Sequence, residues 1–153
     1  MCRIAFLSLL IFCHTISVTA QKPVRLQPKQ PLIRLIDGSL RQAANQYKVM
    51  MGKVPADRLP KTYYAGTDKL ETSNSGWWTS GFYPGTLLYL YGFTHDTSLL
   101  HEATRRLTLL EKEQFNKGTH DLGFMIFNSF GHAYLLTNEN RYRDVVMEAS
   151  RSL

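Results

Sequence analysis

Past residue 30 the chain alternates between segments that are apolar on nearly every side and segments that are apolar along one stripe. Ile33, Ile36, Leu40, Ala44 and Tyr47 recur at spacings of three and four. They predict an amphipathic helix over residues 32–51, weakened by Gly38. Residues 53–76 are polar and hold Pro55, Pro60, Gly66 and Gly76, which reads as a long loop. Such loops are uncommon in compact domains and often functional. Thr79 or Ser80 is placed to cap the next helix, with Pro84 near its first turn. This helix is expected to run to about Phe93. Phe82, Leu87, Leu88, Leu90, Tyr91 and Phe93 leave it hardly any polar face, which predicts burial on most sides. The following helix, over residues 97–115, is different. Leu99, Ala103, Leu107 and Leu110 form one stripe, and Glu102, Arg105, Arg106, Glu111 and Lys112 lie off it, which predicts a half-exposed helix.

The alternation then repeats. Residues 121–136 are apolar on most sides through Phe124, Phe127, Phe130, Tyr134 and Leu135. Residues 140–153 are one-sided through Tyr142, Val146 and Leu153. At an offset of about 43 residues, Tyr91 maps to Tyr134, Thr94 to Thr137, Asp96 to Glu139, Leu99 to Tyr142 and Leu110 to Leu153. A period in this range signals stacked helical hairpins. The expected fold class is all-α, a toroid with an inner ring of buried helices and an outer ring of half-exposed ones. Two and a half hairpins do not close a ring, and Leu153 falls inside a helix pattern without a stop signal. The chain is therefore expected to be the N-terminal part of something longer.

The N-terminus reads as an address. Arg3 precedes an apolar run from Ile4 to Cys13, followed by polar residues and Val18-Thr19-Ala20. That run has the length of a signal-peptide core and is too short to span a bilayer. Residues 1–20 are therefore expected to be a signal peptide, with Gln21 as the new N-terminus. Residues 21–31, with Pro23 and Pro28, would form an exposed leader. Cleavage would remove both Cys2 and Cys13, which fits an exported protein that does not rely on disulfides. The localisation implied is secreted, or periplasmic in a Gram-negative bacterium.

Composition narrows the chemistry. The chain has 153 residues, enough for about one domain. The formal charge of +6 is dispersed, and the basic residues do not interleave with aromatics on one stripe, so nucleic acid is not an expected partner. No second apolar run is long enough to cross a membrane. Neither glycine-rich nucleotide loop occurs, and no cofactor is expected. His95, His101, His120 and His132 show no metal-ligating spacing, and no nucleophile elbow is present.

Two clusters carry candidate chemistry. Ser75-Gly76-Trp77-Trp78-Thr79-Ser80-Gly81-Phe82-Tyr83-Pro84-Gly85 puts two indoles and three glycines at the mouth of a buried helix. An exposed Trp there would stack on a sugar face, and Gly lets backbone approach a ligand; equally, the indoles would serve as core anchors and the glycines as turns. Thr119-His120-Asp121-Leu122-Gly123-Phe124 opens the next buried helix at the same end. A carboxylic acid shielded by aromatics holds its proton to higher pH and donates it near neutrality. Asp is also a preferred helix N-cap, so a capping role stands beside the catalytic one.

Together the two clusters resemble glycoside hydrolase family 88, the unsaturated glucuronyl hydrolases. The resemblance rests on Trp78-Thr79-Ser80-Gly81-Phe82-Tyr83-Pro84-Gly85, Leu88-Tyr89-Leu90-Tyr91 with Thr94, and Thr119-His120-Asp121-Leu122-Gly123-Phe124-Met125. It covers residues 32–153. It implies an (α/α)6 barrel of six helical hairpins. It also implies an enzyme that takes the unsaturated uronic acid from the non-reducing end of lyase-made oligosaccharides, by hydration of the C4=C5 vinyl ether. Asp121 would be the general acid and base, His120 would contact the substrate, and Trp78 would stack on the sugar. A second essential Asp of the family would lie past Leu153. Ser80 stands where other branches carry an acidic residue. Two alternatives accompany this reading: an unsaturated rhamnogalacturonyl hydrolase, and a non-catalytic sugar-binding or structural helical remnant.

Overall fold

The computed structural model describes residues 27–153. The expected signal peptide and most of the expected leader lie outside the described residues.

Helix α1, Gln30–Lys53, begins two residues before the expected start at residue 32, with Pro31 in its first turn, where a missing N–H costs nothing. It runs antiparallel to α2, Phe82–Thr94. Tyr47 stacks on Tyr83 near the start of α2, with ring centroids 5.8 Å apart, and the Arg41 guanidinium lies 5.7 Å from the Phe93 ring near its end. Residues of α1 before Leu40 therefore project past the end of α2. This corrects the expected stripe: Leu40, Ala44 and Tyr47 pack on the core, whereas Ile33 and Ile36 are exposed.

The expected loop over 53–76 instead folds into an antiparallel hairpin. Strand β1, Leu59–Tyr64, pairs with β2, Lys69–Ser73, with Leu59 opposite Ser73 and Tyr64 opposite Lys69. A tight turn at Ala65–Thr67 joins them, and Asp68 takes the left-handed conformation (φ 46°). The register slips between Pro60 and Thr62, so Lys61 is an extra residue in a bulge.

Helix α2 is followed by α3, Thr97–Leu110, a turn of 3₁₀ helix over Glu111–Phe115, then α4, Leu122–Ile126. A π-helical turn, Phe127–Gly131, links α4 to α5, His132–Thr137, and α6 spans Asn140–Ser152. The expected single helix over 121–136 is thus two α segments around a π turn. Helices α2 and α4–α5 form the inner layer, and α3 and α6 pack outside them. The buried core contains Leu87, Leu90, Leu99, Leu107, Leu110, Leu122, Met125, Ile126 and Phe130.

The internal repeat has a physical signature. Helices α2 and α5 end identically: Thr94 and Thr137 donate back to the carbonyls of Leu90 and Ala133, and His95 and Asn138 take left-handed φ values of 58° and 56°. These pairs are 43 residues apart. At the helix starts the offset is 42. The Phe82 amide donates to the Thr79 carbonyl as the Phe124 amide does to that of Asp121, and Gly81 matches Gly123. The π turn accounts for the extra residue, since a π bulge is a one-residue insertion in a helix.

Two features depart from the half-exposed reading of α3. Glu102 and Arg106 are buried. The Arg106 guanidinium donates to Glu102 Oε1 at 2.7 Å and to the carbonyls of Val54, Pro55, Ala56 and Arg58. Five acceptors offset the desolvation of one guanidinium, and they fasten the segment after α1 to α3. Burial, and next the Glu102 carboxylate, push the Tyr83 hydroxyl above its ordinary range.

Candidate active site

The inner helices meet along a seam of glycine. A methyl group on Gly81 would lie 2.1 Å from the Met125 carbonyl oxygen, and one on Gly85 would lie 1.9 Å from that of Asn128. These glycines therefore serve the approach of one inner helix to the next, which corrects the reading of them as room for a ligand; Gly81 does lie in a turn, since the Phe82 amide donates to the Thr79 carbonyl across it. Gly123, the repeat equivalent of Gly81, has nothing within 4 Å among the described residues. The seam brings the first turns of α2 and α4 side by side, and with them the two clusters picked out in the sequence.

An aromatic shelf results. Trp78, Phe82 and Phe124 are mutual neighbours, with centroids 6.0 Å apart for Trp78 and Phe82, 6.2 Å for Trp78 and Phe124, and 6.0 Å for Phe82 and Phe124. Trp77 and Trp78 are 40% and 42% exposed, so neither indole is a core anchor. Edge-on rings hold one another upright and leave faces free for a flat apolar partner. The hairpin reaches the neighbouring indole, Trp77. The Lys61 ammonium, turned out by the bulge, lies 4.6 Å from the Trp77 ring and 2.6 Å from Glu71 Oε1. Lys61, and after it the Tyr64 hydroxyl, hold the Glu71 carboxyl below its ordinary range. The sequence reading missed this cation because the hairpin itself was missed.

Asp121 stands at the opening of α4. Its amide donates to Thr119 Oγ1 at 3.0 Å, and its carbonyl accepts the amides of Phe124 and Met125 at 2.9 and 3.2 Å. Its carboxyl makes no capping hydrogen bond. The Asp that begins this helix thus leaves its side chain unspent, unlike Asp96, which caps α3 by accepting from the Ser98 amide at 3.0 Å. The Asp121 side chain is 26% exposed, and His120 Nε2 lies 3.7 Å from its Oδ2. The His120 side chain is 95% exposed. A carboxyl group with free oxygens beside an aromatic shelf has the elements of proton transfer to a bound sugar.

The remaining surface is less suggestive. A groove of about 840 Å³ runs between the 3₁₀ turn and α6, lined by residues that include Glu111, Gln114, Arg141, Asp144 and Arg151 and none of the shelf. Among the described residues no cluster of His, Cys, Asp and Glu has metal-ligating geometry, and no helix is long and apolar enough to cross a membrane.

Paired helices in two layers, with inner-helix mouths gathered at one end, define a segment of an α/α toroid. Its homologues within that class are unsaturated glucuronyl hydrolases. The chain is 31% identical over 107 residues, 69% of its length, to the unsaturated glucuronyl hydrolase of Formosa agariphila. Its fold matches the crystal structure of an unsaturated glucuronyl hydrolase specific for heparin with a TM-score of 0.70 and 31% identity, over 76% of this chain. The chain spans 27% of the length of the first and 31% of the second. No family model matches it. The fold class is the (α/α)6 barrel of that structural neighbour, a glycoside hydrolase, and the described residues contribute α1 and two hairpins.

Proposed function

We propose that this chain forms part of an unsaturated glucuronyl hydrolase and supplies its general acid and base, Asp121. The substrate is an oligosaccharide with a 4,5-unsaturated uronic acid at its non-reducing end. The sugar lies against Trp78, with Phe82 and Phe124 closing the apolar side, and His120 contacts it from the solvent side. Asp121 gives its proton to C4 of the vinyl ether, and positive charge develops at C5 and the ring oxygen. The carboxylate then takes a proton from water as the water oxygen bonds to C5. The product is a hemiketal, which opens and releases the remaining sugar. This differs from displacement at the anomeric carbon by two carboxylates.

The observation that carries the reading is the Asp121 carboxyl at the mouth of α4, which caps no backbone amide and stands three residues before Phe124 of the exposed aromatic shelf. Similarity to two unsaturated glucuronyl hydrolases supports the substrate class, and neither relative bears the name of the rhamnogalacturonyl alternative. The test is loss of the C=C ultraviolet absorbance of unsaturated disaccharides, using the complete protein that carries this chain. Asp121→Asn is expected to lower kcat by about 10³-fold or more while sugar binding is kept, since the proton donor is lost and the platform is not. Unchanged turnover in Asp121→Asn refutes the assignment. We also propose export, on the strength of residues 1–20; N-terminal sequencing of the exported protein is expected to begin at Gln21.

A further inference from the structure

We propose that Glu113 is a positioning residue for this site, tying the loop of Trp77 and Trp78 to the loop of His120 and Asp121. The proposal rests on the reading of the site given above. Glu113 lies in the 3₁₀ turn between α3 and α4, and it is 8% exposed. Ser75 Oγ donates to its Oε1 at 2.5 Å, and Asn116 Nδ2 donates to its Oε2 at 2.9 Å. Among the described residues no Lys, Arg or His lies within 4.0 Å of it. A carboxyl group removed from water without a cation is costly, so its two hydrogen bonds hold it there.

Those two bonds reach different loops. Ser75 is two residues before Trp77, and Asn116 is five before Asp121. Each loop also has its own turn: Asn74 Oδ1 accepts the Gly76 amide at 3.1 Å, and Asn116 Oδ1 accepts that of Gly118 at 2.8 Å. Those turns shape each loop internally but do not relate one to the other. Glu113 does, from one carboxyl group, across 38 residues of chain on the Ser75 side. A sugar stacked on the shelf presents C4 to Asp121 only if the two loops keep their separation. Displacement of about 1 Å in such an arrangement costs on the order of a hundredfold in rate.

Trp77 and Trp78 are the two tryptophans of this chain, so in the complete protein, with tryptophans outside it replaced by Phe, their fluorescence reports on the tied loop without reference to activity. Ser75→Ala and Glu113→Ala are expected to raise acrylamide quenching at unchanged far-ultraviolet circular dichroism, and Asn116→Ala to leave it unchanged. In the complete protein Ser75→Ala and Asn116→Ala are each expected to lower kcat by about ten- to a hundredfold, because either loosens the separation of the two loops, and Ser75→Ala, which frees the tryptophan loop, is expected to raise KM as well. Unchanged quenching in folded Ser75→Ala overturns the proposal, and this variant decides it even where Glu113→Ala does not fold. Unchanged kcat in folded Ser75→Ala and Asn116→Ala also overturns it. If the parent protein shows no turnover of unsaturated disaccharides, the functional reading falls, and the quenching result alone decides whether Glu113 ties the loops.

Discussion

Adding one methyl group at Gly85 should drive the two inner helices apart. The new Cβ would sit 1.9 Å from the Asn128 carbonyl oxygen, against the 3.4 Å at which ordinary contact begins, a shortfall of about 1.5 Å. The obstacle is backbone, held in the π turn, so no side chain can swing aside. Overpacking of this kind costs about 1–3 kcal/mol, and a clash with backbone belongs at the upper end. Against it stands the better helix propensity of Ala, about 1 kcal/mol over Gly. The net expectation is a loss of about 2 kcal/mol. Gly52→Ala is the control, because Gly52 lies in α1 with nothing within 4 Å and has only the propensity to gain. Urea unfolding followed by far-ultraviolet circular dichroism reads both, with midpoints compared at equal slope. Gly85→Ala is expected to shift the midpoint down, and Gly52→Ala to leave it or shift it up. A Gly85→Ala protein as stable as the parent refutes the argument that this glycine exists for the inner seam.

Arg106→Met removes the donor to the Val54, Pro55 and Arg58 carbonyls and leaves Glu102 with Arg105 and Tyr83 alone; because Arg105 still compensates the carboxylate, the loss is expected at the lower end of the about 3–5 kcal/mol for breaking a buried ion pair, and a loss below about 1 kcal/mol in urea refutes this role for Arg106. The Asp96 carboxyl is held down to about 2 by the Lys48 ammonium first, then by the Ser98 hydroxyl and amide. A carboxyl depressed in the folded state contributes stability above its unfolded value, near 3.9, and loses it as pH falls through the folded one. The stability difference between the parent and Asp96→Asn should therefore hold from neutral pH to about pH 4 and close between there and about pH 2; urea midpoints that keep their gap at pH 2 refute it.

Much of this architecture is legible in one dimension. Helix periods, the alternation of inner and outer helices and the recurrence of Thr94 as Thr137 all depend on residues three or four apart, or on one motif used twice. Backbone hydrogen bonding in a helix is equally local, so sequence spacing determines it. The aromatic motif and the Thr-His-Asp segment were likewise visible, because each opens an apolar helix. What escaped depends on partners far along the chain. Pro60 and Gly66 read as loop punctuation, yet β1 and β2 are stabilised by pairing with each other, and the bulge that aims Lys61 at Trp77 arises from their register. The charges of Glu102 and Arg106 marked them as solvent-facing; the pair satisfies Glu102 locally, but the remaining guanidinium donors of Arg106 find their acceptors in the carbonyls of Val54, Pro55, Ala56 and Arg58, about fifty positions away. The extra residue that changes the repeat from 42 to 43 is invisible in composition, because a π turn is a matter of how a helix is wound against its neighbour. Likewise, a glycine's sequence neighbours do not say whether its bare face meets solvent, a ligand or another helix. At Gly81 and Gly85 the answer is the carbonyls of Met125 and Asn128, which only the folded chain brings within reach.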